Sequence, residues 1–290
     1  MKKAVTALPI FLLILTACEK NSFVADQNLL TTSNGLKYRY SDFELYDSST
    51  HIFYFRTSHP EFPSENAEAF SLLAYGDIIY NGTFHPAFSS SLPSGPYIDT
   101  YMSLYQDFAF RINFMSVGGL QKDNRNDPVL VSILKEHNLL HSGLSLAINS
   151  IERVGSELVL KCNLTNHDME DLLVIDPAKT GIDLFHYFTN GLSLRDIANN
   201  TVYAEPIQPV TPDPWNGWDL NWLSQLKSGE SREFTFYCPL SSVSSVAPGE
   251  YNAVFTYPGL EFQVSKEQLY QPGGRVWLGS VEAKKQILLR

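Results

Sequence analysis

The chain has 290 residues, of which 44% are hydrophobic and 18% are charged, with 31 acidic and 21 basic side chains. This apolar content excludes an intrinsically disordered chain. A formal net charge of −10 argues against a nucleic-acid binder, which needs a basic face to displace counterions from phosphate. An aromatic content of 13% favours a mainly β fold, because flat rings pack well on pleated sheets.

The first 17 residues have the pattern of an export signal. Lys2-Lys3 is a basic start, and residues 4–15 form an apolar stretch. This stretch is shorter than the roughly 20 apolar residues of a membrane-spanning helix. It ends in Leu15-Thr16-Ala17-Cys18, which resembles the lipobox of bacterial lipoproteins. The resemblance implies cleavage before Cys18 and attachment of lipid to the Cys18 sulfur.

The same resemblance implies a location for the mature chain. It would be anchored by its acyl chains to a bacterial membrane, on the periplasmic side or at the cell surface. Two or three chains anchor stably, because each buried CH₂ contributes about 0.8 kcal/mol. The alternatives are an ordinary secretory signal in which Cys18 lies near the cleavage site by chance, and a transmembrane anchor. Residues 18–35 are polar and are predicted to be a tether.

Residues 36–126 are predicted to form an aromatic-rich β or α+β domain. Residues 51–56 and 108–114 have strand patterns, and the aromatic and aliphatic side chains of the second alternate, which predicts that they share one face. Between these strands, Ser64 is a candidate N-cap for a short helix that includes Leu72 and Leu73 and ends at Gly76.

A connecting helix is predicted over residues 127–143. Asp127 is a favourable N-cap, Pro128 suits the first helical position, and Gly143 suits the C-terminal cap. Apolar residues between these two ends recur with helical spacing, so one face of the helix is expected to pack against one or both domains.

Residues 144–290 are predicted to form a β-sandwich. Turn signals separate six strand-like segments, which are residues 144–151, 157–165, 182–188, 233–238, 250–257 and 276–284. The order of Leu226-Lys227-Ser228-Gly229-Glu230, Pro248-Gly249-Glu250-Tyr251 and Val276-Trp277-Leu278-Gly279-Ser280-Val281 resembles an immunoglobulin-like bacterial domain. The resemblance implies a corner tyrosine at Tyr251. Many adhesion, binding and proteinase-inhibitor domains share this fold, so it assigns no site residues.

Three of the four tryptophans, Trp215, Trp218 and Trp222, lie within eight residues. Exposed indoles beside Asp and Asn side chains would stack on sugar rings and bind their hydroxyl groups. Buried indoles would instead close an open edge of the sandwich or fill the contact between the domains. Both interpretations remain open from the sequence, and the three tryptophans are the candidate ligand-binding residues.

Two cysteines, Cys162 and Cys238, remain after lipidation of Cys18. Each lies on the apolar face of its predicted strand, so both thiols are expected inside the sandwich. In an oxidising compartment they would form a disulfide, and the alternative is two buried free thiols. Neither outcome is catalytic.

Two groups of polar residues suggest metal sites without matching their requirements. His137 and His141 have the i, i+4 spacing of a helical metal site, but no third ligand is identifiable. Asp168, Glu170 and Asp171 form an acidic turn that lacks calcium-loop spacing, which predicts a solvated turn. The sequence therefore predicts no metal and no cofactor.

The function expected from these patterns is recognition or scaffolding in the cell envelope, without catalysis. The partners would be the membrane, through the lipid, and an envelope protein or a glycan, and no nucleic acid. The first alternative is a glycan-binding lipoprotein that uses the tryptophan segment. The others are a proteinase-inhibitor-like domain, and an enzyme whose site has no linear motif.

Overall fold

A computed structural model describes residues 27–63, 68–86, 89, 91–101, 104–119, 121–181, 184–185, 191–204, 217–240, 246–261 and 264–290. Over these residues the protein is mainly β, as the composition predicts. The helices with described bounds are α1 (Pro128–Glu136) and α2 (Pro177–Thr180), with short 3₁₀ helices at Tyr40–Asp42, Val117–Gly119, Leu220–Trp222 and Lys266–Gln268. The strands are β1 (Asn28–Thr32), β2 (Lys37–Arg39), β3 (Phe43–Asp47), β4 (Ile52–Phe55), β5 (Ala69–Ala74), β6 (Asp77–His85), β7 (Gly95–Asp99), β8 (Leu104–Tyr105), β9 (Ala109–Arg111), β10 (Asn113–Met115), β11 (Leu140–His141), β12 (Leu144–Val154), β13 (Glu157–Asn166), β14 (Leu172–Ile175), β15 (Leu192–Arg195), β16 (Thr201–Ala204), β17 (Leu223–Leu226), β18 (Ser231–Pro239), β19 (Gly249–Pro258), β20 (Tyr270–Gln271), β21 (Gly274–Val276) and β22 (Ser280–Leu289).

The first eleven strands form two sheets. One has the strand order β10-β7-β6-β5-β1-β2, and the other has the order β11-β3-β4-β9-β8. Helix α1 packs on the core between them, since its Leu130, Ile133 and Leu134 are buried with the rings of these sheets. We call this part, as far as His141, the N-terminal unit.

The later strands form three sheets, with the orders β12-β13-β18, β16-β15-β19-β22 and β17-β14-β21-β20. Strands β18 and β19 face each other across the core, where the ring centroids of Phe236 and Phe255 are 5.0 Å apart. The Tyr251 hydroxyl donates a hydrogen bond to the backbone oxygen of Ala247 over 2.8 Å, as expected of a corner tyrosine. We call this part, from Leu144, the C-terminal unit. Its immunoglobulin type stays a prediction.

The five-stranded sheet of the N-terminal unit contributes to the cores of both units. Strand β4 is buried along its whole length. Successive side chains of a strand point to opposite faces, so Phe53 and Phe55 join the N-terminal core while Ile52 and Tyr54 join the C-terminal core. The two units therefore meet along a continuous packed interface. The domain boundaries of the sequence analysis stay predictions.

Helix α1 begins as predicted and ends earlier. The Asp127 carboxylate accepts a hydrogen bond from the Val129 amide over 2.9 Å, which confirms the N-cap. The helix ends at Glu136 because Asn138 has a left-handed backbone with φ of 55°, and the Leu139 amide donates to the Leu134 carbonyl. Gly143 is therefore no helix cap. It has φ of 62° where the backbone approaches Asp47 so closely that a Cβ would collide with its carboxylate.

Four segments differ from the sequence prediction. The segment expected to form a helix before Gly76 contains strand β5, and its residues 64–67 lie outside the described part. The predicted strand 108–114 divides at Ile112 into β9 and β10, which lie in different sheets. Its predicted single face is wrong as well, since Phe108, which precedes β9, joins the C-terminal core while Phe110 joins the N-terminal core. The last predicted strand is interrupted at 277–279, between β21 and β22. Of the predicted strand 182–188, only 184–185 are described, and these are helical.

Candidate functional site at the interface of the two units

A buried charged cluster joins the two units. The Arg275 side chain is fully buried, and its Nη2 lies 3.0 Å from Asp168 Oδ2 and 3.6 Å from Asp47 Oδ2. Its Cζ lies 5.6 Å from the ring centroid of Tyr54. Burial opposes the charge, but Tyr54, Asp47 and Asp168 raise the pKa of Arg275, so the guanidinium stays protonated.

Asp168 links this cluster to the end of the N-terminal unit. His141 Nδ1 lies 2.8 Å from Asp168 Oδ1. Burial alone would raise the pKa of Asp168, but the hydrogen bond from His141 and the charge of Arg275 outweigh burial and lower that pKa. The prediction of a solvated acidic turn is thus wrong for Asp168, which is buried because the turn folds back beneath β21. In the same turn, Glu170 lies 3.4 Å from Arg275, and Asp171 accepts hydrogen bonds from Gln225 and Ser228.

Two further ion pairs cross the interface at more exposed positions. Arg111 Nη2 lies 2.7 Å from Glu261 Oε2 and also contacts the Tyr105 hydroxyl. Lys266 Nζ lies 2.9 Å from Glu44 Oε2 and 2.5 Å from the Phe55 carbonyl oxygen. These two ion pairs add polar contacts between the units, and they start from the interior strands β9 and β3 of the shared sheet.

A cleft with a volume of about 440 Å³ opens beside Arg111 at this interface. The N-terminal unit contributes Ser49, His51, Arg111 and Arg125, and the C-terminal unit contributes Ser145 and Ser280. We call this the interface cleft. Its lining is polar, and a volume of this size suits a small ligand.

His51, which lines the cleft, combines an unusual backbone conformation with a perturbed pKa. It has a left-handed backbone with φ of 57°, an uncommon conformation for a residue other than glycine. Its Nδ1 lies 2.8 Å from the Tyr46 hydroxyl oxygen. Burial lowers the pKa of His51 to about 3, with a further lowering from the charge of Arg125, so the ring is neutral.

A serine and a histidine also meet at the rim of the cleft. Ser145 Oγ lies 2.7 Å from His167 Nε2, the distance expected between a nucleophile and its base. Both side chains are exposed. His167 Nδ1 has no hydrogen-bond partner in the described part of the chain, so nothing there orients the imidazole as a third member of a triad would.

The structure describes two of the three clustered tryptophans. Trp218 and Trp222 are both half-buried and pack against the core of the C-terminal unit. Trp218 Nε1 donates a hydrogen bond to Gln268 Oε1 over 3.3 Å. This placement favours the packing interpretation for Trp218 and Trp222. Trp215 lies outside the described residues.

The two histidines with helical metal-site spacing are not on one helix. His137 caps the end of α1 and stacks on Tyr40 with ring centroids 4.7 Å apart, whereas His141 lies on β11 and contacts Asp168. Within the described residues, no group of three or more His, Cys, Asp or Glu side chains is arranged to bind a metal ion.

Cys162 and Cys238 are buried free thiols. They lie on the adjacent strands β13 and β18, but Cys162 is opposite Phe234 and Cys238 is opposite Leu158. The thiols are therefore four residues apart along the strands, roughly 13 Å, which exceeds the Cα separation of about 7 Å that a disulfide tolerates. The disulfide alternative is wrong because the register of these two strands separates the cysteines.

Cys18 and the predicted export signal also lie outside the described residues. Of the helices in the described residues, none has the length and apolar character needed to cross a membrane. No protein-family model matches the sequence, and the search of curated proteins gave no match.

Local sequence patterns do not single out the residues of the interface. One signal is present: Arg275 is a lone charge before the apolar run Val276-Trp277-Leu278, and Asp47 follows the hydrophobic pair Leu45-Tyr46 at the end of β3. A charge in an apolar strand needs an opposite charge to be buried. That signal predicts a buried ion pair, but it does not identify the partner.

Proposed function

We propose that this chain is a lipid-anchored protein of a bacterial cell envelope that binds a small polar ligand in the interface cleft, without catalysis. The lipobox resemblance at Leu15-Thr16-Ala17-Cys18 supports the anchor. One observation supports the binding site: a polar cleft formed by both units, whose relative arrangement is fixed by buried and half-buried ion pairs. Such rigidity favours recognition, because little ordering is then required upon binding.

The anchor is tested by labelling cells with an alkyne fatty acid. The full-length chain should incorporate the label, and the Cys18→Ser variant should not. Equal labelling of both forms, or of neither, would contradict the lipid-anchor part of the proposal.

Binding is tested on the Cys18→Ser form without its export signal, by ligand-detected NMR against neutral sugars, acidic sugars and amino acids. Ser145→Trp places an indole at the rim of the cleft and should abolish binding. Ala147→Trp is the matched control, because Ala147 is exposed on the same strand outside the cleft lining. Binding that survives Ser145→Trp would place the ligand elsewhere, and no binding in any class would refute this function.

Hydrolysis is the alternative that the 2.7 Å contact between Ser145 and His167 raises. A fluorophosphonate probe tests it, because such probes label activated serines. We expect no labelling, since the described residues supply no partner for the second nitrogen of His167. Labelling that disappears in Ser145→Ala would establish the hydrolase instead.

A further inference from the structure

Three side chains of the interface cleft surround one stretch of backbone. Arg111 is opposite Ile52 in the register of β4 and β9, next to His51. The Ile112 amide donates a hydrogen bond to the His51 carbonyl over 3.0 Å, and Arg125 Nη1 donates to the Ile112 carbonyl over 3.0 Å. The backbone around Ile112 thus holds three polar side chains of the cleft close together, those of Arg111, His51 and Arg125.

Arg111 has hydrogen-bond donors for which the described residues supply no acceptor. Its Nη2 contacts Glu261 and Tyr105, while its Nη1 has no partner in the described part of the chain. Nε also has no partner, but it is buried. Nη1 is therefore the group of Arg111 that remains for a ligand in the cleft, with two N–H donors.

His51 adds no second positive charge to the cleft, because its ring is neutral. The Tyr46 hydroxyl lies 3.1 Å from the Arg125 carbonyl oxygen and 3.2 Å from Asn126 Oδ1, and both of these atoms only accept hydrogen bonds. When Tyr46 donates its single proton to either of them, His51 Nδ1 carries a proton and donates to the Tyr46 oxygen. Nε2, which has no described partner, is then an unprotonated acceptor.

The charge balance of the cleft disfavours a ligand with more than one negative charge. Glu261 already faces Arg111, and Asp123 Oδ2 lies 2.6 Å from Arg125 Nη2. Glu282, which also lines the cleft, lies 2.8 Å from Lys284. Because each arginine has a carboxylate partner, the cleft has donors for an anion but no large excess of positive charge. A carboxylate meets these conditions better than a doubly charged phosphate.

We propose that the interface cleft binds a hydroxylated carboxylate of about monosaccharide size. Arg111 Nη1 donates to the carboxylate, and a hydroxyl group of the ligand donates to His51 Nε2. This inference rests on the proposed binding function and adds the chemical class of the ligand. An acidic sugar has both groups, either free or at the end of a polysaccharide.

Isothermal titration of the Cys18→Ser form without its export signal tests the ligand class with three probes. D-glucuronate has both groups, D-glucose lacks the carboxylate, and cyclohexanecarboxylate lacks the hydroxyls. We expect glucuronate to bind at least tenfold more tightly than either of the others. A uronic-acid trisaccharide distinguishes the two sources: tighter binding than glucuronate indicates a polysaccharide end, equal binding indicates the free sugar, and either result supports the class.

Two variants assign the contacts. His51→Asn suits the left-handed backbone and should weaken glucuronate about fivefold to tenfold while leaving cyclohexanecarboxylate unchanged. Arg111→Lys keeps a cation for Glu261 but loses the free Nη1, and should weaken both carboxylates at least tenfold. Arg153→Lys, outside the cleft, is the control and should change neither. Thermal unfolding verifies that each variant folds. If Arg111→Lys does not fold, the result for His51→Asn decides whether the proposed contacts hold.

The possible outcomes distinguish a failure of the proposed ligand class from a failure of the proposed binding function. Equal affinity for glucose and glucuronate would overturn the ligand class while leaving the cleft a binding site. Binding of another class that Ser145→Trp abolishes would do the same, whereas no binding in any class would refute both. The ¹⁵N chemical shifts of His51 give an independent result: a protonated Nε2 would overturn the assignment of the hydroxyl contact.

Discussion

The interior of the N-terminal unit and the interface between the units are both buried, but by different chemistry. Inside the unit, aromatic rings pack on one another, as Phe53 and Phe110 do with centroids 5.4 Å apart. At the interface, the buried groups include a guanidinium and two carboxylates. The stability gained from ring packing grows with the apolar area buried, and such packing tolerates substitution by side chains of similar shape. A buried ion requires its partner. We therefore expect the stability of the interface to depend on pH and on the identity of each charged residue, whereas the aromatic interior tolerates side chains of similar shape.

The largest effect is expected from Arg275→Met. This change leaves the carboxylates of Asp47 and Asp168 buried without their cation, and should lower the free energy of unfolding by about 3–5 kcal/mol. Urea denaturation at neutral pH measures it. Arg153→Met, at an exposed arginine, is the control and should cost about 0.5 kcal/mol or less. Unchanged stability in Arg275→Met would mean that apolar packing alone holds the units together.

A smaller effect is expected from acid. The folded-state pKa of Asp168 is lowered, so its stabilising contribution is present above the unfolded-state pKa of about 3.9 and is lost as the pH falls through the folded value. Glu44 also has a lowered pKa, because the hydrogen bonds from Tyr270 and Lys266 outweigh the opposing effect of burial. The stability of the protein should therefore fall below about pH 4.

Asp168→Asn sharpens this test, since the amide does not titrate. The difference in unfolding free energy between the unmodified chain and Asp168→Asn should be largest at neutral pH and shrink below about pH 4. A constant difference across this range would show that Asp168 is not held as a carboxylate by His141 and Arg275.

A smaller effect than that of Arg275→Met is also expected from Trp218→Ala. Trp218 is half-buried on the C-terminal core, so its truncation should cost about 1–2 kcal/mol, below the 3–5 kcal/mol of a fully buried tryptophan. Differential scanning calorimetry measures the loss. An unchanged melting temperature together with lost retention on a polysaccharide gel would instead establish the tryptophan segment as a glycan site.

The smallest effect is expected from a reducing agent, which should leave the unfolding free energy unchanged because Cys162 and Cys238 are free thiols. Burial raises the pKa of the Cys162 thiol to about 12, so little thiolate is present at neutral pH. With Cys18 replaced by Ser, a thiol reagent should react slowly with the folded protein and with two thiols after unfolding. A disulfide between Cys162 and Cys238 would leave no thiol for the reagent in the unfolded protein.

Much of the fold could be predicted from local patterns. The strand alternation at Glu157–Asn166 and Gly249–Pro258, and the N-cap at Asp127, depend on residues close together in the chain. The two faces of β4 could not be assigned in this way, because all four of its residues are apolar and no alternation marks which core each one joins.

The candidate site depends on the tertiary structure even more than the fold does. The acidic, aromatic-rich composition and the prediction of an export signal follow from the sequence by itself, because length, hydropathy and charge are properties of the chain. The tertiary structure alone decided that Asp168 is buried against His141 and Arg275, and that Cys162 and Cys238 lie apart. These outcomes depend on strand register and on contacts between residues more than a hundred positions apart, such as Asp168 and Arg275, which local patterns do not record.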